Sequence, residues 1–301
     1  MNRKSQNTLA KARERETIRV AALFLIPVFV ILTVFIFYPV METFITSFFK
    51  WNGISSSKTF NGISNWKMLI VDKSFWKAFR NNIVLVVFAI IIQIPVSLAL
   101  ATFLNFTGKR GCIFKIAWFV PMLMSSVAVG FLFTYILATN DGVITSISQT
   151  LGGGKIDLLG NPDLALFAVM GVVSWQSIPF YMVFFLASFS GISEEVFAAA
   201  RIDGATRGQY FWQIALPLLK PAVSKASVLA LVGSLKYFDL IYVMTNGGPG
   251  DATELMATYM YKHSFVKFNM GYGSAVAAGM FLLITIMSLL TMKLTKSKEE
   301  S

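Results

Sequence analysis

The sequence predicts an all-α, polytopic membrane protein with six transmembrane helices, and three observations carry that expectation. Composition comes first: 55% of the 301 residues are hydrophobic and only 14% charged, too apolar to leave a water-compatible surface. Second, five charge-free runs, Val20–Met41, Asn81–Gly108, Ile116–Asn140, Leu164–Ser193 and Phe268–Met292, hold 22, 28, 25, 30 and 25 residues. Each exceeds the roughly 20 residues that carry a helix across a bilayer. Third, the stretch between Pro221 and Pro249 is long enough for a sixth span, although it carries Lys225, Lys236 and Asp239.

Taken in order, residues 1–19 form a basic N-terminal tail, with Arg3, Lys4, Lys11, Arg13, Arg15 and Arg19. Residues 20–41 read as an uncleaved first transmembrane helix, because the run is long, bulky and proline-containing and lacks a small-residue cleavage site. Residues 42–80 form an external loop with an interfacial helix: Trp66, Leu69, Ile70, Trp76 and Phe79 alternate with Lys67, Lys73, Lys77 and Arg80, which suits a helix at headgroup level. An ordinary packed loop helix is the other reading. Residues 81–292 form a five-helix core that includes the loop 194–221, and 293–301 a second tail. The second span ends at the basic turn Thr107-Gly108-Lys109-Arg110, and Pro95 and Pro121 predict kinks. The triple glycine at 152–154 suggests flexibility, since Gly154-Lys155-Ile156 lacks the arrangement that cradles phosphate.

The fifth span is polar for its place. A charge at mid-bilayer costs about 2.5–3.5 kcal/mol on the lenient insertion scale, so this helix should face protein or water. Lys236 and Asp239, three residues apart, would share a helix face and partly neutralise each other.

Between the fourth and fifth spans, Glu194–Pro221 reads as two short helices around a bend. Ser193 is positioned to N-cap the first, with Glu194 and Glu195 in its positive first turn. Gly204 interrupts it, Thr206 with Gln209 makes a capping box for the second, and Pro217 should stop that helix. With the N-terminus inside, the cytoplasmic segments hold 16 lysines and arginines and the outer loops 9, which favours both termini and the 194–221 loop in the cytoplasm.

The net charge of +11 points to orientation and anionic membrane lipid, not nucleic acid, because the basic residues are spread over loops. Cys112 is the single cysteine and forms no internal disulfide. His263, the one histidine, has no companion at metal-ligand spacing and reads as a loop residue, so neither a metal nor a cofactor is expected.

The spacing of Ala198-Ala199-Ala200, Gly204, Ile214 and Leu216-Pro217 resembles the EAA loop of binding-protein-dependent ABC importer permeases, with Ala198 standing where the family carries glutamate. The stretches 199–205, 210–222, 237–249 (YFDLIYVMTNGGP), 252–265 and 271–275, together with NWKMLIVDKSFWKAFRNN, are similar to the carbohydrate-uptake branch. The resemblance implies a type I ABC importer permease fold in the bacterial or archaeal cell membrane, a second homologous permease, a cytoplasmic ABC ATPase dimer, an extracytoplasmic sugar-binding protein and a sugar substrate. It places ATPase coupling on Ala198, Ala199, Ala200, Arg201, Asp203, Gly204 and Arg207, with Phe197, Phe211, Trp212 and Ile214 as anchors to the span ends. By the same resemblance Trp175, Gln176, Ser177, Ser234 and Tyr237 fall near the translocated sugar, and the polar residues Lys236 and Asp239 lie beside them; packing between helices is the competing role. No GxxxxGK[ST] sequence occurs, so the chain is not expected to be an enzyme and ATP hydrolysis falls to a partner. A permease for another solute, or an ion-coupled secondary transporter, are the alternatives; the second predicts internal repeats and embedded carboxylates, of which Asp239 is the one candidate.

Overall fold

A computed structural model describes residues 16, 21–107 and 111–296. The remainder of the N-terminal tail, the basic turn at Lys109–Arg110 and residues 297–301 lie outside the described residues. Five helices are long and apolar enough to cross a membrane, or six if one sharply bent pair counts as a single span. Among the described residues, apart from one two-stranded hairpin, the elements are helical.

Helix α1 (Ala21–Thr46) stands away from the bundle: none of its most apolar 18-residue window is buried. Only its end is tied down, where Phe44 meets Phe281 edge-on at 5.9 Å. The hairpin β1 (Phe49–Lys50) and β2 (Thr59–Phe60) follows, with Phe49 opposite Phe60. Next comes α2 (Ser64–Val71), whose Asn65 amide donates to the Ser47 and Phe49 carbonyls at 2.8 and 2.9 Å. Leu69 is buried toward the last span, while Met68, Ile70 and Val71 stay exposed.

The single interfacial helix expected across Trp66 to Arg80 is divided at Asp72. That residue has extended backbone, and its carboxylate accepts the Ser74 and Phe75 N–H groups at 2.9 and 3.3 Å, an N-cap that starts a new helix. Lys73, Trp76, Lys77 and Phe79 therefore belong to α3 (Lys73–Thr107), a 35-residue helix with a π turn at Ala89–Gln93. Charge alone set the boundary of this span too late.

The chain then forms α4 (Cys112–Leu123) and α5 (Ser126–Ile136), which meet at 97°. Pro121 predicted a kink; the break falls three residues on, at Met124 and Ser125, both extended. A short helix α6 (Val143–Thr150) leads to α7 (Ala165–Phe189). After α8 (Glu194–Ile202), α9 runs as one helix through Arg207–Gln209, a π segment Tyr210–Ala215 and Leu216–Leu235. Pro217 does not stop it. The wide π turn just before this proline accommodates a ring that would crowd the preceding turn of a regular helix. The fifth span continues, after a break, as α10 (Asp239–Met244); α11 (Met256–Tyr261), a π turn Lys262–Val266 and α12 (Met270–Lys296) complete the chain.

Three apolar clusters hold the bundle. One joins the second halves of α3 and α7 to α8 and to α9 as far as Ala230. A second surrounds Met170, Val173, Leu240 and Ile241, where α5, α7 and α10 meet. The third packs the start of α3 and the end of α9 against α2, α11 and α12.

At that last end His263 is not a loop residue. It lies in the π turn with its ring 4.5 Å from that of Tyr259 and 5.0 Å from that of Tyr272. Both tyrosine hydroxyls donate to Asp72. Burial pushes the Asp72 carboxyl up, but these bonds and the two cap N–H groups outweigh it and hold the carboxyl below its ordinary range. His263 is pushed down to about 4, first by burial and then by Lys267, whose Nζ lies 3.2 Å from its Nε2; Lys262 adds to this and Asp72 opposes it. A histidine that protonates near its ordinary 6.5 when unfolded but only near 4 when folded contributes stability above the first value, and loses it as pH falls through the second. The melting temperature of the detergent-solubilised protein is expected to drop as pH goes from 7 to 4.5, and His263→Gln to flatten that drop. A pH profile identical in the two proteins would refute this.

Candidate functional site

The loop after α7 is built from local rules. Ser193 has the extended backbone of an N-cap, although its side chain makes no capping bond, and Glu194 and Glu195 occupy the first turn of α8. The helix ends where Gly204 takes φ +76°; the Gly204 and Ala205 N–H groups bond back to the Arg201 and Ala200 carbonyls at 3.1 and 2.9 Å. Glycine adopts this left-handed conformation at no steric cost. Thr206 and Gln209 then form the expected capping box: Gln209 N–H donates to Thr206 Oγ1 at 3.3 Å and Thr206 N–H to Gln209 Oε1 at 2.8 Å.

Three aromatic rings fix this unit to the bundle. Phe197 of α8 lies 5.0 Å from Tyr210 of α9, and Phe106 at the end of α3 lies 6.5 and 6.0 Å from the two. Phe211 and Ile214 pack against the same apolar cluster. Trp212 is not packed into that cluster: it is 68% exposed, with its ring edge-on to that of its neighbour Phe211 at 5.1 Å. Of the seven expected coupling residues, Ala200 is buried and packs inward, whereas Ala198, Ala199, Arg201, Asp203, Gly204 and Arg207 are exposed. The guanidinium of Arg201 sits over Phe197 at 5.9 Å and that of Arg207 over Phe106 at 5.7 Å. Among the described residues neither arginine forms an ion pair. An open cavity of about 860 Å³ lies beside them, lined among others by Thr107, Glu195, Ala198, Arg201 and Arg207.

A second constellation lies within the spans, where two of them break. Gln176 donates from Nε2 to the Met124 carbonyl at 3.1 Å, at the break between α4 and α5. Trp175 packs on Phe133 of α5 at 5.2 Å between ring centres, and lines a cavity of about 250 Å³ with Trp118, Pro121 and Met124. Ser177 is half-buried. The other break follows Leu235: Lys236, Tyr237 and Phe238 leave the helix before α10 begins at Asp239. The expectation that Lys236 and Asp239 share a helix face is therefore overturned. The backbone between them is not helical, both side chains are exposed, and they form no ion pair among the described residues. Ser234 is buried, and Tyr237 packs against the same cluster as Trp175.

Two residues outside the expected set hold these breaks. Asn82 is fully buried; its amide donates to the carbonyls of Ser234 and Leu235 at 2.7 and 3.2 Å, and its Oδ1 accepts the Met256 N–H at 2.9 Å. Gly130 of α5 approaches α10 so closely that a Cβ would lie 2.6 Å from Val243 Cγ1. A polar side chain inside a charge-free run, as Asn82 is, was the available signal.

Fold and site together define a polytopic helical membrane protein. It exposes a helix–turn–helix at one end and carries two broken spans in its interior. The chain belongs to the family of binding-protein-dependent transport system inner membrane components, whose model matches residues 93–297. It is 59% identical, over 46% of its length and all of that protein, to the putative ABC transporter permease protein ORF1 of Caldicellulosiruptor sp.. It is 32% identical to the multiple sugar-binding transport system permease protein MsmF of Streptococcus mutans, over 92% of this chain and 95% of MsmF. Its fold is similar to that of a bacterial ABC transporter involved in the import of the acidic polysaccharide alginate, with a TM-score of 0.80 at 21% identity over 96% of this chain and 99% of that one.

Proposed function

We propose that this chain is one of two permease subunits of an ATP-driven sugar importer in the cell membrane, oriented with both termini and the 194–221 loop in the cytoplasm. The observation that carries the reading is the exposed, rigidly anchored α8 with its glycine turn. Small side chains at Ala198 and Ala199 let another backbone approach closely, and Arg201 and Arg207 keep their hydrogen-bonding capacity for a partner. That partner is a separate ATPase, which supplies the nucleotide site that the sequence lacks. A second permease completes the pathway, and an extracytoplasmic binding protein delivers the sugar. The sugar class rests on the naming of the Streptococcus mutans relative and on the hydroxyl-matching and aromatic side chains at the breaks.

In this reading the sugar passes the two breaks. Irregular backbone within spans is tolerated where it is buried in protein or lines a wet cavity, and both breaks flank Trp175, Gln176 and Tyr237. The test is uptake by the complete complex in proteoliposomes, with labelled maltose, sucrose and raffinose as probes. Uptake is expected to require the ATPase, ATP and the binding protein. Gln176→Ala and Tyr237→Ala are each expected to weaken apparent affinity several-fold or to alter the ranking of sugars. Uptake that persists without the ATPase would exclude the importer assignment, and unchanged affinity and ranking in both variants would exclude the pathway residues.

A further inference from the structure

Between α3 and α7 lies a buried polar clamp that neither the coupling loop nor the broken spans explain. Gln93, the last residue of the π turn in α3, is 3% exposed, and its Nε2 donates to Ser174 Oγ at 3.1 Å. Ser174 Oγ in turn donates to the Met170 carbonyl of its own helix at 2.7 Å. One turn further, the fully buried Ser97 places its hydroxyl 2.6 Å from the Gln93 carbonyl and 3.0 Å from that of Ile178. A π turn inserts an extra residue and re-aims the side chains beyond it, and such turns recur at functional sites. Here it delivers a polar side chain into a helix contact that is otherwise lined by Leu98, Ala101, Tyr181 and Phe185.

The two α7 residues held by the clamp, Ser174 and Ile178, bracket Trp175, Gln176 and Ser177. At about 100° per residue, Gln176 falls roughly opposite the mean direction of Ser174 and Ile178. The helix is thus gripped from behind by α3 and in front by the Gln176 bond to the Met124 carbonyl. Pro179, directly beyond, cannot donate to the Trp175 carbonyl and would loosen the helix at this level. Rotation of α7 is the motion that the clamp opposes, and rotation is what would turn Trp175 and Gln176 away from the breaks.

We infer that Gln93, through Ser174, is a positioning residue for sugar affinity: it helps set the rotational register of α7 that presents Trp175 and Gln176 to the pathway. This rests on the pathway reading above. Gln93→Leu removes the bond to Ser174 while the Ser97 bond to the Ile178 carbonyl remains, so it should loosen the register of α7 without altering any residue beside the sugar.

The test uses the complete complex in proteoliposomes, with the sugar among maltose, sucrose and raffinose that the wild type takes up fastest. Gln93→Leu is expected to raise the apparent KM up to about ten-fold, the affinity equivalent of one buried hydrogen bond, at little-changed Vmax per permease. Ser174→Ala, which removes a single oxygen and keeps the test open if leucine prevents folding, should do the same. The double variant should be no worse than either single one, as for two residues acting as a pair. An unchanged KM in both single variants, alongside a raised KM in Gln176→Ala, would overturn the clamp and leave the pathway reading standing. An unchanged KM in all three overturns the clamp, and where Tyr237→Ala also keeps its affinity and sugar ranking, the pathway residues fall with it. A fall in Vmax that only tracks the amount of folded protein, or additive effects in the double variant, would overturn the positioning role.

Discussion

Replacing Gly204 with valine will abolish sugar uptake while leaving the chain in the membrane at its normal level. The cause is conformational. A Cβ at this position would meet no atom within 4 Å, but the residue sits at φ +76°, a region costly for a β-branched side chain. Holding a non-glycine residue in such a conformation costs on the order of 1–3 kcal/mol, enough to make a different turn preferable. The turn sets the angle between α8 and α9, so relaxing it moves Ala198, Ala199 and Arg201 away from where the proposed ATPase partner would meet them. The apolar spans are untouched and keep the protein membrane-embedded. Asparagine, which tolerates the left-handed region, is expected to retain most activity. Uptake assays and membrane immunoblots of the valine and asparagine variants decide the matter; full uptake by Gly204→Val would remove the coupling assignment.

The second large effect is expected from Asn82→Leu, and it falls on folding. One fully buried amide satisfies two carbonyls at the end of α9 and the N–H of Met256. Leucine fills similar space but leaves these backbone groups without their side-chain partner. The Ser234 carbonyl keeps the Tyr237 N–H at 3.4 Å, but the Leu235 carbonyl and the Met256 N–H lose their partner; each buried unsatisfied group costs about 1–3 kcal/mol, so the variant loses several kcal/mol where membrane proteins have no water to compensate. Loss of monodisperse protein in detergent, or a strongly lowered melting temperature, is expected. A variant as stable as wild type would show that the break at Lys236–Phe238 is held by other contacts. Asn82→Asp can still accept from Met256 but cannot donate to the carbonyls, and should rescue little.

The contrast between these sites shows what the linear sequence discloses. The Gly204 turn and the Thr206–Gln209 capping box were legible because each is written within four residues and obeys local stereochemistry. The spans were legible because a bilayer demands long apolar runs. The break near Pro121 was legible only as a kink, three residues off, and the one after Leu235 was not. Met124 is stabilised by Gln176, and the end of α9 by Asn82, partners that sequence spacing cannot pair. Lys236 and Asp239 looked like a helical pair for the same reason: three-residue spacing presumes continuous helix, and a distant asparagine permits an interruption there. Trp212 looked like an anchor because a π turn shifts the facing of everything around it. Local chemistry was readable; the places where one span ends to suit another were not.

The close approach of Gly130 to Val243 has a mechanical corollary. With only the Val243 side chain between them, α5 and α10 have little slack in which to slide, and each is joined to its own span by a non-helical break. In the language of linkages the pair is one rigid lever on two fulcra, at Met124–Ser125 and at Lys236–Phe238. By this geometry a turn at either fulcrum is expected to displace both arms.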